Sequence, residues 1–277
     1  MNRIRSYLPW GAKNVVRIVR LEGIINSESR RGGKGFNFQK VEKHLGKAFD
    51  TKKIKPKAVC LEINSRGGSA VQSNLIYQRI RALSKENDVP VMTFAEDTAA
   101  SGGYWLAMAG DEIFVDPNSI IGNIGALHGG FGMEETIKKL GLEWRLITAG
   151  ENKFRMDPFK PQKKEDVAFI QNILDQIHSN FINLVKERRP KIDVNHKTVF
   201  TGDIFTGGDA VSIGLADGIC SDMKALCVER FGKDVKLERC EPPKGFWSKM
   251  QDFGSEARIE LSMNEALEEL AVKQQGL

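Results

Sequence analysis

The sequence predicts an α/β protein, a largely parallel sheet with helices laid over it. Three observations carry that prediction. From residue 58 onward strand and helix signals alternate, the succession that builds a parallel sheet. The apolar run AVCLEI at residues 58–63 reads as a buried strand. Two glycine-rich corners follow strands directly, at the carboxyl ends where open sheets of this kind place their sites. With 277 residues, 41% hydrophobic and 28% charged, the chain buries a core of its own without a disulfide or metal staple.

The elements follow in order. The first 21 residues hold Arg3, Arg5, Lys13, Arg17 and Arg20 and no acid. Within them Val15, Val16, Ile18, Val19 and Leu21 read as a strand entering the core. Residues 1–14 are left as a basic segment whose Leu8, Pro9 and Trp10 suit peripheral membrane contact. After the strand at 58–63 and the pair Gly67-Gly68, the residues Val71, Leu75, Ile76, Ile80 and Leu83 recur at helical spacing. Asn87-Asp88 then turns the chain into a strand at Val91–Ala95. Tyr104–Ala109 is a short helix stopped by Gly110, Glu112–Val115 a strand, Met133–Leu140 a helix stopped by Gly141, and Trp144–Thr148 a strand. A long helix, Glu165–Arg189, carries Val167, Ile170, Ile173, Leu174, Ile177, Phe181, Leu184 and Val185 on one face, and Pro190 ends it. Residues 207–219 form a short helix and strand that close the fold. Ser255–Gln274 reads as a weaker amphipathic helix, set apart by the Pro242–Gly245 stretch, so the chain divides into a domain at 15–240 and a helical tail at 241–277.

Composition removes several function classes. The net charge of +5 is scattered and lacks the basic, aromatic-interleaved patch of a nucleic-acid binder. No apolar run approaches the ~18 residues of a membrane span. Cys60, Cys220, Cys227 and Cys240 form no CxxC pair and have no histidine at ligand spacing. They read as reduced thiols in a reducing compartment, with Cys60 buried in its strand.

The chemistry concentrates in the two corners, INSRGGSA at Ile63–Ala70 and DTAASGGYWLA at Asp97–Ala107. Glycine pairs let the backbone turn sharply and leave amide N–H groups facing a ligand, an oxyanion or a phosphate. Ser101 stands between a strand and a short helix, where a hydroxyl is exposed and the next amide points into the same space. A serine hydroxyl is inert near neutral pH without a base in reach. The sequence offers two, Lys153 and His128.

The segments INSRGGS, AEDTAASGGYWLAMAGDEIFVDPNSIIGNIG, ITAGENKFRMDPFKP and VFTGDIFTGGDAVSIGLADGI, in that order, resemble the signal peptide peptidase A family with its short SohB-like members. The resemblance spans about residues 15–220. It implies a ClpP/crotonase-like α/β fold of repeated strand-strand-helix units, and a serine endopeptidase with a serine-lysine dyad that needs neither metal nor nucleotide. Carried over position by position, Ser101 is the nucleophile and Lys153 the general base, while the backbone amides of Gly68 and Gly102 hold the oxyanion. Arg66 stands where the family has proline, which bears on substrate preference. Asn123 stands where the family often has the serine that supports the lysine, and it can still accept or donate. A lysine base must be neutral although its ordinary pKa is ~10.4. Burial beside Phe154 and Met156 is expected to lower it.

The alternative base, His128 with an acid such as Asp157, would make a ClpP-like triad, but IIGNIGAL separates the Pro-Asn-Ser turn from the histidine. Two readings of other classes remain beside the peptidase. One is a non-catalytic scaffold or peptide-binding relative; the other is an acyl-CoA enzyme of the same fold. The resemblance further implies extended peptides or unfolded chains as substrates, such as signal peptide remnants or membrane-associated fragments. It implies a ring of about eight identical subunits that complete each other's sites. The compartment it implies is bacterial cytoplasm, peripheral to the inner membrane, with a mitochondrion as the alternative.

Overall fold

Strand β1 (Val15–Glu22) enters the core as its apolar run demands, and in a computed structural model that describes residues 14–27 and 35–240 it lies near one edge of an eight-stranded sheet. The basic segment expected at 1–14, apart from Asn14, and the tail at 241–277 lie outside the described residues. Next come β2 (Ile24–Ile25) and β3 (Gly35–Phe36), a small parallel pair, then α1 (Phe38–Ala48), β4 (Ala58–Ser65) and α2 (Ala70–Asn87). They are followed by β5 (Val91–Ala100), α3 (Gly102–Ala107), β6 (Glu112–Val115), β7 (Ile120–Gly122), α4 (Glu134–Lys139) and α5 (Lys164–Arg188). The chain closes with β8 (Ile204–Thr206), α6 (Gly207–Ser212), β9 (Gly218–Ile219), α7 (Met223–Phe231) and β10 (Lys236–Arg239).

The main sheet runs β10-β1-β4-β5-β6-β9, parallel throughout. Strand β5 is long enough to leave β6 behind and pair its last residues with β7, which turns antiparallel onto β8. That overhang carries the chain from Ala100 straight into the second glycine corner. One face packs Val19, Leu61, Ile63, Val91 and Ile113 under the helices, with Ile76, Ile80, Tyr104 and Leu106 fully or nearly buried. The other packs Val16, Ile18, Cys60, Met92, Phe94 and Phe114 against Cys227 of α7. Cys60 is a free, fully buried thiol; its hydrogen bond with Cys227, followed by burial, pushes it well above the ordinary thiol range. Among the described residues no helix is long and apolar enough to cross a membrane.

Two expectations are corrected between residues 126 and 176. The strand expected at Trp144–Thr148 is irregular chain. The helix expected at 165–189 forms, yet of its apolar face only Phe181 and Val185 are buried, while Val167, Phe169 and Ile173 are exposed. Apart from the continuation of α5 beyond residue 176, the hydrogen bonds of this stretch with the described residues stay within it. Met133 N–H donates to Pro158 O at 2.6 Å, Trp144 Nε1 donates to Asp157 at 3.0 Å, and Arg155 pairs with Asp166 at 2.6 Å. It is an arm, with Ile147 99% and Phe131 89% exposed. The periodicity was real, but it marks apolar surface that this single chain leaves uncovered.

The helix that follows Ser101 is held from the opposite side. Buried Tyr104 donates its hydroxyl to Leu215 O at 2.8 Å, and Arg189 makes a fork of 2.7 and 2.9 Å onto Asp217, which also accepts from Ile113 N–H. Burial alone would raise the Asp217 carboxyl, but the Arg189 guanidinium and the Ile113 amide outweigh it and hold the group below the ordinary carboxylate range. A depressed carboxylate contributes stability above its unfolded pKa of about 4 and loses it as pH falls through the folded value. Asp217→Asn is therefore expected to cost about 3 kcal/mol at pH 7 by leaving Arg189 buried without its partner. Urea melts should show that the deficit shrinks on acidification below pH 4; an unchanged melting midpoint at pH 7 would contradict this account.

Candidate active site

The first corner follows β4. Ser65 Oγ donates to Gly23 O at 2.7 Å and accepts from Gly67 N–H at 3.1 Å, which fixes the start of the turn. Gly67 and Gly68 then take φ of +96° and +143°, conformations that side chains rarely adopt. Ile25 brackets Gly68 like a parallel strand: its N–H donates to Gly67 O at 2.9 Å and its carbonyl accepts from Ser69 N–H at 2.8 Å. Successive peptide groups of an extended chain point to opposite sides, so the Gly68 N–H is turned away from Ile25. It donates to no group among the described residues. A side chain at Gly68 would collide with the Ile25 carbonyl, so the position demands glycine.

The second corner sets Ser101 at φ 53°, ψ −123°, between β5 and α3. This region is reached by glycine and rarely by other residues, and it costs of order 1–3 kcal/mol. The strain is imposed from both sides: Ser101 N–H donates to Gly122 O at 2.8 Å, and its carbonyl accepts from Trp105 N–H at 3.0 Å. Its hydroxyl makes no capping bond to the helix it precedes. Gly102 is the first residue of α3, where an N–H has no partner within the helix. A methyl group added to Gly102 would stand 3.3 Å from the Gly68 nitrogen, and one added to Gly67 would stand 2.8 Å from Ser101 Cβ. The Ser101 side chain and both glycine amides thus share one small volume.

The fold handles the three other candidates differently. Asn123 sits at φ 55°, a left-handed position that asparagine tolerates well. It is pinned by its own N–H on Asp203 O and by Nδ2 on Gly202 O, both at 2.7 Å, which leaves Oδ1 as its acceptor. Lys153 lies in a turn of the arm, with its N–H on Gly150 O at 3.1 Å. It is exposed, and so is Phe154, so the burial expected for it is absent in the single chain, and no hydrogen bond joins it to Ser101. His128 lines a cavity of about 910 Å³ within the arm, together with Met133, Phe154, Asp157 and Lys160. Asp157 accepts from Trp144 and from Phe159 N–H and does not bond His128. Sequence reasoning missed the roles of Ile25 and Gly122, because a carbonyl that fixes a neighbouring strand leaves no mark on residue type.

Comparison with known proteins gives one family. The sequence pattern of "Peptidase family S49" matches residues 84–236. The chain is 43% identical over 230 residues to a protein of Brucella abortus named Na(+)/H(+) antiporter NhaA, covering 83% of this chain and 31% of that one. It is 31% identical over 218 residues to Protease 4 of Haemophilus influenzae, covering 78% of this chain and 34% of that one. The chain thus spans about a third of the length of these relatives, and the antiporter name belongs to a protein most of which lies outside the match. Among solved structures, the 1510-N membrane-bound stomatin-specific protease in complex with a substrate peptide superposes with a TM-score of 0.54 at 17% identity, over 88% of this chain and 99% of that one. At that identity the likeness bears on fold, and it is the ClpP/crotonase-like fold.

Proposed function

The chain belongs to peptidase family S49, and on that premise we propose that it is a serine endopeptidase in which Ser101 is the nucleophile and Lys153 of a neighbouring copy is the base. The observation that carries the reading is the convergence of strained Ser101 with the unbonded amides of Gly68 and Gly102. Neutral lysine takes the Ser101 proton as Oγ adds to the peptide carbonyl, and the two amides receive the oxyanion. The same lysine, now an ammonium, protonates the leaving amine. Asn123 Oδ1, held in place by its Nδ2 bond to Gly202, accepts an N–H of the lysine and turns its lone pair toward Ser101.

The exposed arm supports the shared site. A lysine that is solvated in one chain becomes a usable base when a second copy buries the arm's apolar surface and desolvates it. Head-to-tail contacts of this kind close into rings, here about eight subunits by family resemblance. A chamber of that sort admits extended chains and excludes folded proteins. Peptide remnants and membrane-associated fragments are accordingly the proposed substrates, met in the cytoplasm at the inner face of a membrane.

A serine-directed fluorophosphonate tests this reading. Adduct on Ser101 is expected in the native protein and in His128→Ala, with labelling reduced at least ~100-fold in Lys153→Ala. Absence of adduct in the native protein would favour a non-catalytic, peptide-binding role. Loss in His128→Ala with retention in Lys153→Ala would move the base to the histidine.

A further inference from the structure

Arg66 belongs to the first glycine corner, exposed and, among the described residues, without a hydrogen bond or ion pair. That sets it apart. Apart from Arg79, every other described arginine bonds a carboxylate or a carbonyl oxygen: Arg20 holds Glu96, Arg81 holds Asp111, Arg189 holds Asp217, and Arg239 holds Glu62. Arg79 lies in α2 with its Nε buried. Among the described arginines only Arg66 is exposed with its whole guanidinium unbonded, one residue before the glycine that packs on Ser101.

Its backbone is fixed on both sides. Ser65 before it is tied to Gly23 O, and Gly67 after it is bonded through its N–H to Ser65 Oγ and through its carbonyl to Ile25. Gly67 is also the residue whose added methyl would touch Ser101 Cβ, so Arg66 is one peptide unit from a position in contact with the nucleophile. Two described acids of the adjoining strand have other partners. Asp97 accepts from Asn64 Nδ2 at 2.7 Å and forms no ion pair with Arg66, and Glu96 is taken by Arg20. A planar fork of donors next to the glycine corner, with no acceptor among the described residues, matches a carboxylate better than any other group a peptide carries.

We propose that Arg66 is a specificity-determining residue that selects peptide chains with an aspartate or glutamate side chain close to the scissile bond. The proposal rests on the reading of Ser101 as the nucleophile, and its test separates the two. Matched peptides differing only in Glu, Gln or Lys at each position flanking the cleaved bond are assayed for kcat/KM with the full chain. At one position Glu is expected to exceed Gln by about tenfold, an advantage that falls as salt screens an exposed pair. Arg66→Gln should abolish that ratio, and Arg66→Glu should turn the preference toward Lys. The same Glu-to-Gln ratio in the native protein and in Arg66→Gln would overturn the proposal. If no peptide is cleaved, the reading of Ser101 fails and binding decides on Arg66. Ser101→Ala protein is titrated into fluorescein-labelled Glu and Gln peptides, and tighter binding of the Glu peptide that vanishes in Ser101→Ala/Arg66→Gln supports the role. Equal binding of the two peptides overturns it.

Discussion

Replacing Ser101 by alanine is expected to remove peptide hydrolysis, a fall of at least about 10³-fold in kcat, while the melting midpoint stays within the shift of an ordinary surface substitution. Both halves follow from the corner. The hydroxyl makes no bond to the helix it precedes, so its removal leaves no buried partner unsatisfied. The backbone bonds that force φ to 53° run through the Ser101 amide and carbonyl and survive the change. Ser101→Gly sharpens the test, because glycine reaches this conformation freely. That variant should be as inactive as alanine and yet more stable by about 1 kcal/mol. Calorimetry and peptide turnover on the three proteins check it. A destabilised glycine variant would mean that the corner is not strained, and retained turnover in either variant would end the role of Ser101.

The parts of the fold legible in the sequence are those whose burial lies within one chain. Strand β4 showed itself as AVCLEI because both faces of a central parallel strand are covered, and α2 through Ile76, Ile80 and Leu83 because it packs on that sheet. Strand β5 was foreseen only to Ala95. Its continuation through Glu96, Asp97 and Thr98 is polar, and it forms because β7 lies alongside it. The arm shows the limit from the other side. Trp144, Leu146 and Ile147 carry strand character and Val167, Phe169 and Ile173 helical periodicity, but an apolar pattern does not say whether the chain or a second copy covers it.

The same division runs through the site. Gly67, Gly68 and Gly102 were legible because only glycine meets their backbone conformations or contacts, so geometry is written in residue type. Ser101 was legible by its place between strand and helix. Lys153 was not distinguishable from Lys160 or Lys163 by composition, and the single chain leaves it equally solvated. The role proposed for it would depend on what a second copy placed around the arm, and that is a property of two chains.

Mixing two inactive proteins should restore activity. Ser101→Ala and Lys153→Ala chains, co-expressed in equal amounts so that they assemble together, are expected to recover about a quarter of native turnover, because in a random head-to-tail ring each site draws its serine and its lysine independently. A dyad closed within one subunit predicts none, since every chain in the mixture lacks one of its two members. Dilution of the native protein gives the complementary arm. Assembled with an equal amount of the Ser101→Ala/Lys153→Ala double variant, shared sites retain about a quarter of native turnover and separate sites about a half. The structural argument for the quarter is the arm itself: its bonds close on themselves, its apolar residues face outward, and it carries Lys153 in a turn that makes no bond to Ser101. Phe131→Ser and Ile147→Ser extend the test to the interface. Each exposes less apolar surface in the isolated chain and should leave its fold intact, yet each should weaken assembly and turnover together. Turnover that persists in a demonstrated monomer would place the base on the same chain as the nucleophile.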